Sequence, residues 1–245
     1  MRDIEKYTED YNQPNFEDYQ IIYRRKKILE IMDQYNPKRI LEIGCGMEPL
    51  FQYIEFKYDI YTVIEPSKVF CDNAKRLAVG NTRISCYNEY FASSEKLKKQ
   101  KFDFIICSSL LHEMEEPIAF LKEIATICNE QTVLHVNVPN AYSLHRLLAK
   151  EMGLIGDEHD MSERNRLYQQ NNVYDMNLLN ASLEKAGFFE LERGTYFIKP
   201  FTHTQMYQMM SQKIIDENVL GGLYELGKVL KDFGSEIYIN AKIRL

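Results

Sequence analysis

The segment Leu41-Glu42-Ile43-Gly44-Cys45-Gly46 constrains this chain more than any other. An apolar strand runs straight into two glycines separated by one residue. The backbone must turn sharply there, toward a helix, and glycine's free φ and missing Cβ permit both the turn and a close approach of a ligand to the main chain. Glu65 stands at the end of the next apolar run, 19 residues beyond Gly46. A carboxylate so placed can accept hydrogen bonds from both hydroxyls of a ribose. Two glycines alone would make a structural turn, and a lone Glu a solvated surface group. At this spacing and in this strand context they point to a nucleoside site.

The rest of the chain alternates strand and helix. Residues 1–15 are polar and Tyr-rich and include Pro14 as a breaker. From Phe16 onward Ile21, Ile28, Met32 and Tyr35 recur at helical spacing, and Asn36-Pro37 ends that helix. Strands are expected over 39–43, 59–64, 83–87, 102–107 and 132–138, with helices from Ser67 to Ala78 and from Pro117 onward. This alternation predicts a parallel sheet. Residues 139–172 break the rhythm with His145, His159 and a charged run over 157–166, and read as an insertion over the sheet's carboxyl edge. Asp175 caps a helix ending at Gly187, and a strand over 188–193 follows. A helical segment over 204–230 is interrupted by Gly221-Gly222. The last strand, 236–244, alternates, with Ile237, Ile239, Ala241 and Ile243 on one face. The reading is a single α/β domain over 1–245, with an N-terminal helical lid at 1–36 and the active site capped by 139–172.

What is missing from the loop narrows the nucleoside. A dinucleotide loop would place a third glycine at position 49, so that helix and pyrophosphate fit closely. This chain has Pro49, and it has no phosphate-cradling Lys-Ser/Thr loop. S-adenosylmethionine, with ribose, adenine and an amino-acid tail but no phosphate, suits such a loop. A net charge of −6 counts against nucleic-acid binding, which needs a basic face. No apolar run is long enough to span a bilayer, and the N-terminus lacks a signal-peptide core, so a cytoplasmic location and no membrane partner are expected. The five cysteines, Cys45, Cys71, Cys86, Cys107 and Cys128, are odd in number and contain no CxxC, which argues against a disulfide framework or a zinc ribbon.

The motifs LEIGCG, TVIEPS and FDFIICSSLLHEMEEP, in that order over roughly residues 38–137, resemble three successive motifs of the class I S-adenosylmethionine-dependent methyltransferases. The resemblance implies a Rossmann-like seven-stranded sheet, six strands parallel and the last antiparallel. It implies that Gly44, Cys45 and Gly46 line the cofactor's amino-acid portion and that Glu65, beside Pro66, binds its ribose. Glu89, Tyr90 and Phe91 would flank adenine, and Ser108 and Ser109 would edge the methionine moiety. Arg24 either reaches the cofactor carboxylate or belongs to a solvated helix face. FEDYQIIYRRKKILEIM, NVPNAYSLHRLLAKEMGLI, SERNRLY, VYDMNLLNASLEKAGFFE, FIKPFTHTQM and GSEIYINAKI are similar to a bacterial subgroup often found with polysaccharide or natural-product biosynthesis. That subgroup often carries Gly-His-Arg-Arg before Val-Tyr-Asp, where this chain has Gln169-Gln170-Asn171-Asn172.

Methyl transfer from a sulfonium is a direct displacement that mainly needs alignment. An oxygen acceptor gains from a general base, and His suits neutral pH. His112, after the fourth strand, and His145, just past the fifth, are the two catalytic candidates, as base or as shaping groups. His159 reads as a solvated loop residue, His135 as a packed core residue, and His203 lies outside any motif. Asp157, Glu158, His159 and Asp160 carry hard ligands, but a consecutive run closes poorly on one ion, so no metal is expected. Tyr168 and Tyr174 are the fallback markers of the substrate pocket. The expected activity is methyl transfer to oxygen of a small polar acceptor: a sugar, sugar nucleotide or surface-polysaccharide precursor. N-methylation of a small molecule, or a methyltransferase-fold binding module without catalysis, are the alternatives.

Overall fold

Ile40, Leu41 and Ile43 of β1 (Arg39–Ile43) are buried, which suits a strand covered on both faces at the centre of a sheet. The computed structural model describes residues 4–11 and 14–244. In it, β1 is joined by β2 (Ile60–Ile64), β3 (Ile84–Tyr87), β4 (Phe104–Ser108), β5 (Val133–Pro139), β6 (Phe188–Tyr196) and β7 (Glu236–Ile243). They form a seven-stranded sheet in the order β3-β2-β1-β4-β5-β7-β6. β7 runs antiparallel to both β5 and β6, and the other pairings are parallel, so six strands share one direction.

Helices cover both faces. α2 (Glu17–Tyr35), α3 (Lys68–Leu77), α8 (His203–Ser211) and α9 (Glu217–Leu226) contribute Ile28, Met32, Ala74, Met206 and Tyr224 to one core. On the other face α4 (Pro117–Ala125) and α7 (Met176–Lys185) contribute Leu121, Ile124, Leu179 and Leu183. Asn36 ends α2 in the left-handed conformation, and Asp175 caps α7 by accepting from the Leu178 N–H at 2.8 Å.

Three expectations change. No α-helix follows the glycine loop: Pro49 is extended and leads into a 3-10 turn, Leu50–Tyr53, whose first N–H is bound by the Glu42 carboxylate. Gly221 and Gly222 lie inside α9; the break falls before it, where Lys213 takes positive φ and Asp216 caps the new helix on Val219. Neither glycine is required by packing: a Cβ at Gly221 would meet only the Tyr23 hydroxyl, at 4.0 Å, and one at Gly222 nothing. β7 is not one-sided. Both its faces are covered, so Glu236, Tyr238 and Asn240 are buried like Ile237 and Ile239 on the other face. Residues 139–172 carry α5 (Leu144–Glu151) and α6 (Glu163–Leu167), and α1 (Ile4–Tyr11) precedes α2; positions 1–3, 12 and 13 of the expected lid lie outside the described residues.

Candidate active site

The glycine loop and its acid meet at the carboxyl edge of the sheet. Gly44 and Gly46 take φ of 74° and 59°, the left-handed region where a Cβ is strained. Glu65 is buried, and its Oε2 accepts from the Cys45 N–H at 3.0 Å and the Gly46 N–H at 3.3 Å. Its Oε1 accepts from the Ser67 N–H at 2.8 Å, at the start of α3. Three main-chain donors therefore hold the carboxylate at the wall of a cavity also lined by Pro66 and Phe70. A fixed buried carboxylate beside a side-chain-free turn fits a nucleoside with an amino-acid tail. The Cys45 thiol is pushed up by burial and by Glu42 and Glu65, so it is an unreactive wall atom.

The same cavity passes Ser108, Ser109 and His112 at the end of β4. Ser109 has φ of 51° and is pinned by its N–H to the Asn137 carbonyl at 2.9 Å. His112 is buried, and its carbonyl accepts from the N–H groups of Asn171 and Asn172 at 2.9 and 3.0 Å. The two side-chain amides bind the Glu113 and Met114 carbonyls, each at 2.7 Å. Asn171 and Asn172 thus clamp the turn that carries His112.

His145, Arg146, Arg164, Lys199 and His203 line the far end, beyond β5. Beneath it Glu236 anchors a polar network. Arg24 donates from Nε at 2.9 Å and Nη2 at 2.6 Å, Gln20 from Nε2 at 2.8 Å, Asn137 from Nδ2 at 2.8 Å and the Tyr196 hydroxyl at 2.6 Å. Arg24 Nη1 pairs with Glu17 at 2.7 Å. Arg24 is therefore neither solvated nor free to serve a cofactor carboxylate with its whole fork; two carboxylates hold it. Lys199 Nζ lies 2.8 Å from His203 Nδ1 and 3.4 Å from Gln20 Oε1. Burial pushes Lys199 down to about 7 and, with Lys199 beside it, His203 to about 3. Burial, with Lys199, His203 and Arg146, likewise holds His145 well below the usual imidazole range.

Other expected residues fall elsewhere. Glu89, Tyr90 and Phe91 do not line this cavity: Glu89 pairs with Lys96 at 2.8 Å, Tyr90 is exposed, and Phe91 packs edge-on to Phe120. Asn88 just before them binds the Glu65 and Pro66 carbonyls and ties β3 to β2. His135 is a core residue, as its strand suggests, bonded to Asn240 at 2.7 Å and pushed down to about 4 by burial. His159 is not simply solvated; it bridges Asp157 at 3.2 Å and the α7 cap Asp175 at 3.0 Å. Asp160 accepts from the Gly156 and Asp157 N–H groups, and Glu158 pairs with Lys150, so the acidic run is engaged in closing its own loop. Tyr168 lines the cavity, and Tyr174 is buried in the core. Lys199, Glu17, Glu236 and Glu42 drew no attention in the sequence. Glu42, pushed up to about 7 by burial, lines the cavity from inside the glycine motif itself.

A family model described as a methyltransferase domain matches residues 16–191. No curated protein matches the sequence. Among solved structures the chain is similar to a SAM-dependent methyltransferase from Thermotoga maritima described as a possible histamine N-methyltransferase, at 16% identity over 98% of this chain and 99% of that one, with a TM-score of 0.63. It is similar to the plantazolicin methyltransferase BamL, solved with a triazolic desmethylPZN analog and SAH, at 17% identity over 94% and 88%, TM-score 0.61. It is also similar to the mitomycin 7-O-methyltransferase MmcR, at 14% identity over 86% of this chain, TM-score 0.54; the match spans 50% of that protein's length. Likeness at these identities carries the fold.

Proposed function

The chain belongs to the methyltransferase-domain family, and we propose that it moves the methyl group of S-adenosylmethionine to an oxygen of a small polar acceptor. The acceptor class we infer is a sugar, sugar nucleotide or surface-polysaccharide precursor. One observation carries the reading: the glycine loop with Glu65 and the polar end with His145 line a single cavity. Gly44, Cys45 and Gly46 border the amino-acid portion, Glu65 the ribose, and Ser108 and Ser109 the methionine edge. Adenine contact falls to Pro66 and Phe70 rather than to residues 89–91.

Bound S-adenosylmethionine supplies an electrophilic methyl group. The chain's task is to aim the acceptor oxygen and exclude water. His145 is neutral at neutral pH, and its Nδ1 is buried with no hydrogen-bond partner among the described residues. An imidazole held that far down is a weak base, so orientation is its larger contribution. His112, clamped from behind, shapes the passage beside the methyl. Residues 4–11, 14–36 and 139–172 act as the lid.

Incubation with methyl-labelled S-adenosylmethionine and a panel of sugars and sugar nucleotides tests this. The expected product is an alkali-stable ether formed with one S-adenosylhomocysteine per label. Label appearing only on amines would favour N-methylation, to which the Thermotoga neighbour's description corresponds. Failure to bind either S-adenosylmethionine or S-adenosylhomocysteine would favour the binding module.

A further inference from the structure

We propose that the acceptor carries an anionic group, a phosphate or a carboxylate, seated between Arg146 and Arg164 at the end of the cavity away from the glycine loop. This rests on the methyl-transfer reading and narrows its substrate. Both guanidinium groups line the cavity, and both are half-buried. Arg146 donates from Nε to the Glu158 carbonyl at 2.9 Å and from Nη2 to the Asp160 carbonyl at 2.7 Å. Those partners are neutral: they orient the fork without cancelling its charge. Arg164 lies over the Tyr168 ring at 4.5 Å and reaches only the Asn15 amide oxygen, at 3.5 Å. Among the described residues no carboxylate is within ion-pair distance of either. Lys199 Nζ bonds His203 and Gln20, and the Glu17 and Glu236 carboxylates act on it at longer range.

The two arginines of α2 are different. Arg24 is held by Glu17 and Glu236, and Arg25 by Glu48 at 2.5 Å. Glu65 is held by three main-chain N–H groups, Glu42 is pushed up to about 7, and Glu113 lines the cavity from the 3-10 turn after β4. Arg146 of α5 and Arg164 of α6 thus lack a direct ion pair among the described residues, with carboxylates of 157–160 and Glu17 acting on them only at longer range. Burial lowers Arg146 even though Asp160, Asp157 and Glu158 pull it back up. A desolvated guanidinium gains most from a bidentate oxyanion, and two of them give a fixed seat. An anion anchored there would hold a hydroxyl of the same molecule at a set distance from the cofactor's methyl, which is the alignment that displacement needs.

The test titrates protein saturated with S-adenosylhomocysteine with inorganic pyrophosphate and, separately, with malonate, by calorimetry at low ionic strength. Saturable binding of one of them is expected, and which one binds separates phosphate from carboxylate. Arg146→Gln and Arg164→Gln should each weaken it by about tenfold or more while leaving S-adenosylhomocysteine affinity unchanged. Arg146→Gln also loosens the 158–160 loop; Arg164→Gln, which gives up one long hydrogen bond and a ring contact, is the cleaner variant. Binding of neither anion, or binding unaltered by Arg164→Gln, overturns the proposal. Loss of S-adenosylhomocysteine binding in the unsubstituted protein would instead overturn the methyl-transfer reading.

Discussion

Glu65 shows how much one residue does in this site. Its carboxylate holds the Cys45, Gly46 and Ser67 N–H groups, so it shapes the loop that it also faces as a ligand. Glu65→Ala should weaken S-adenosylmethionine by roughly 1–3 kcal/mol, through the lost charged acceptor and a loosened loop. Calorimetry checks this, and an unchanged dissociation constant would remove the ribose assignment. Lys199 gives a second expectation at this scale. Its folded value of about 7 lies below the ordinary 10.5 because it is buried. Between those two values the unfolded chain binds more protons than the folded one, so this group makes stability rise with pH across that window and is most costly below pH 7. The cost is on the order of 3–5 kcal/mol. Lys199→Met should flatten the rise, read from urea melts at pH 7 to 10; parallel slopes for both proteins would count against a neutral buried amine.

At the level of elements, the loop between α5 and α7, which we propose as part of a cap, is held by identifiable contacts. Arg146 grips two carbonyls of the 157–160 loop, Lys150 pairs with Glu158 at 2.7 Å, and His159 reaches the α7 cap Asp175. Asp175→Ala removes both the helix cap and the His159 contact. It should cost roughly 0.5–2 kcal/mol and speed amide exchange in the loop, whereas Asp175→Asn should keep most of the cap. Addition of S-adenosylhomocysteine should slow exchange in α2 and in residues 144–172 while amides of β1 and β4 stay as they were, as expected for a lid over a rigid sheet. Exchange identical with and without ligand would show that these elements are scaffold and not cover.

For the molecule as a whole, the buried pair of Arg24 and Glu236 joins the N-terminal helix to the antiparallel strand β7, 212 residues apart in sequence. Glu236 is fully buried, so removal of its cation leaves a desolvated charge. Arg24→Met should lower the unfolding free energy by roughly 3–5 kcal/mol in denaturant melts. A loss below about 1 kcal/mol would mean that Gln20, Asn137 and the Tyr196 hydroxyl satisfy the carboxylate unaided. The same pair fixes α2 across the cavity, and with it the residues that close the polar end.

The sequence by itself determined the strand and helix alternation, the glycine turn and the acid that faces it. Those features follow from local rules: side-chain period, glycine's φ, and a short contact between the ends of adjacent parallel strands. Tertiary structure decided the rest. Pro49 and Glu42 replaced the expected helix after β1 with a 3-10 turn, and packing on both sides of the sheet buried Glu236 and Asn240 of β7 as well as Ile237 and Ile239. Arg24, placed by sequence on either a solvated face or the cofactor, was claimed by carboxylates from β7 and from its own helix. Nothing in the sequence marks Lys199, which the fold buries beside Gln20 and His203. Burial and charge pairing are sums over neighbours distant in the chain, so no local pattern in the sequence carries them.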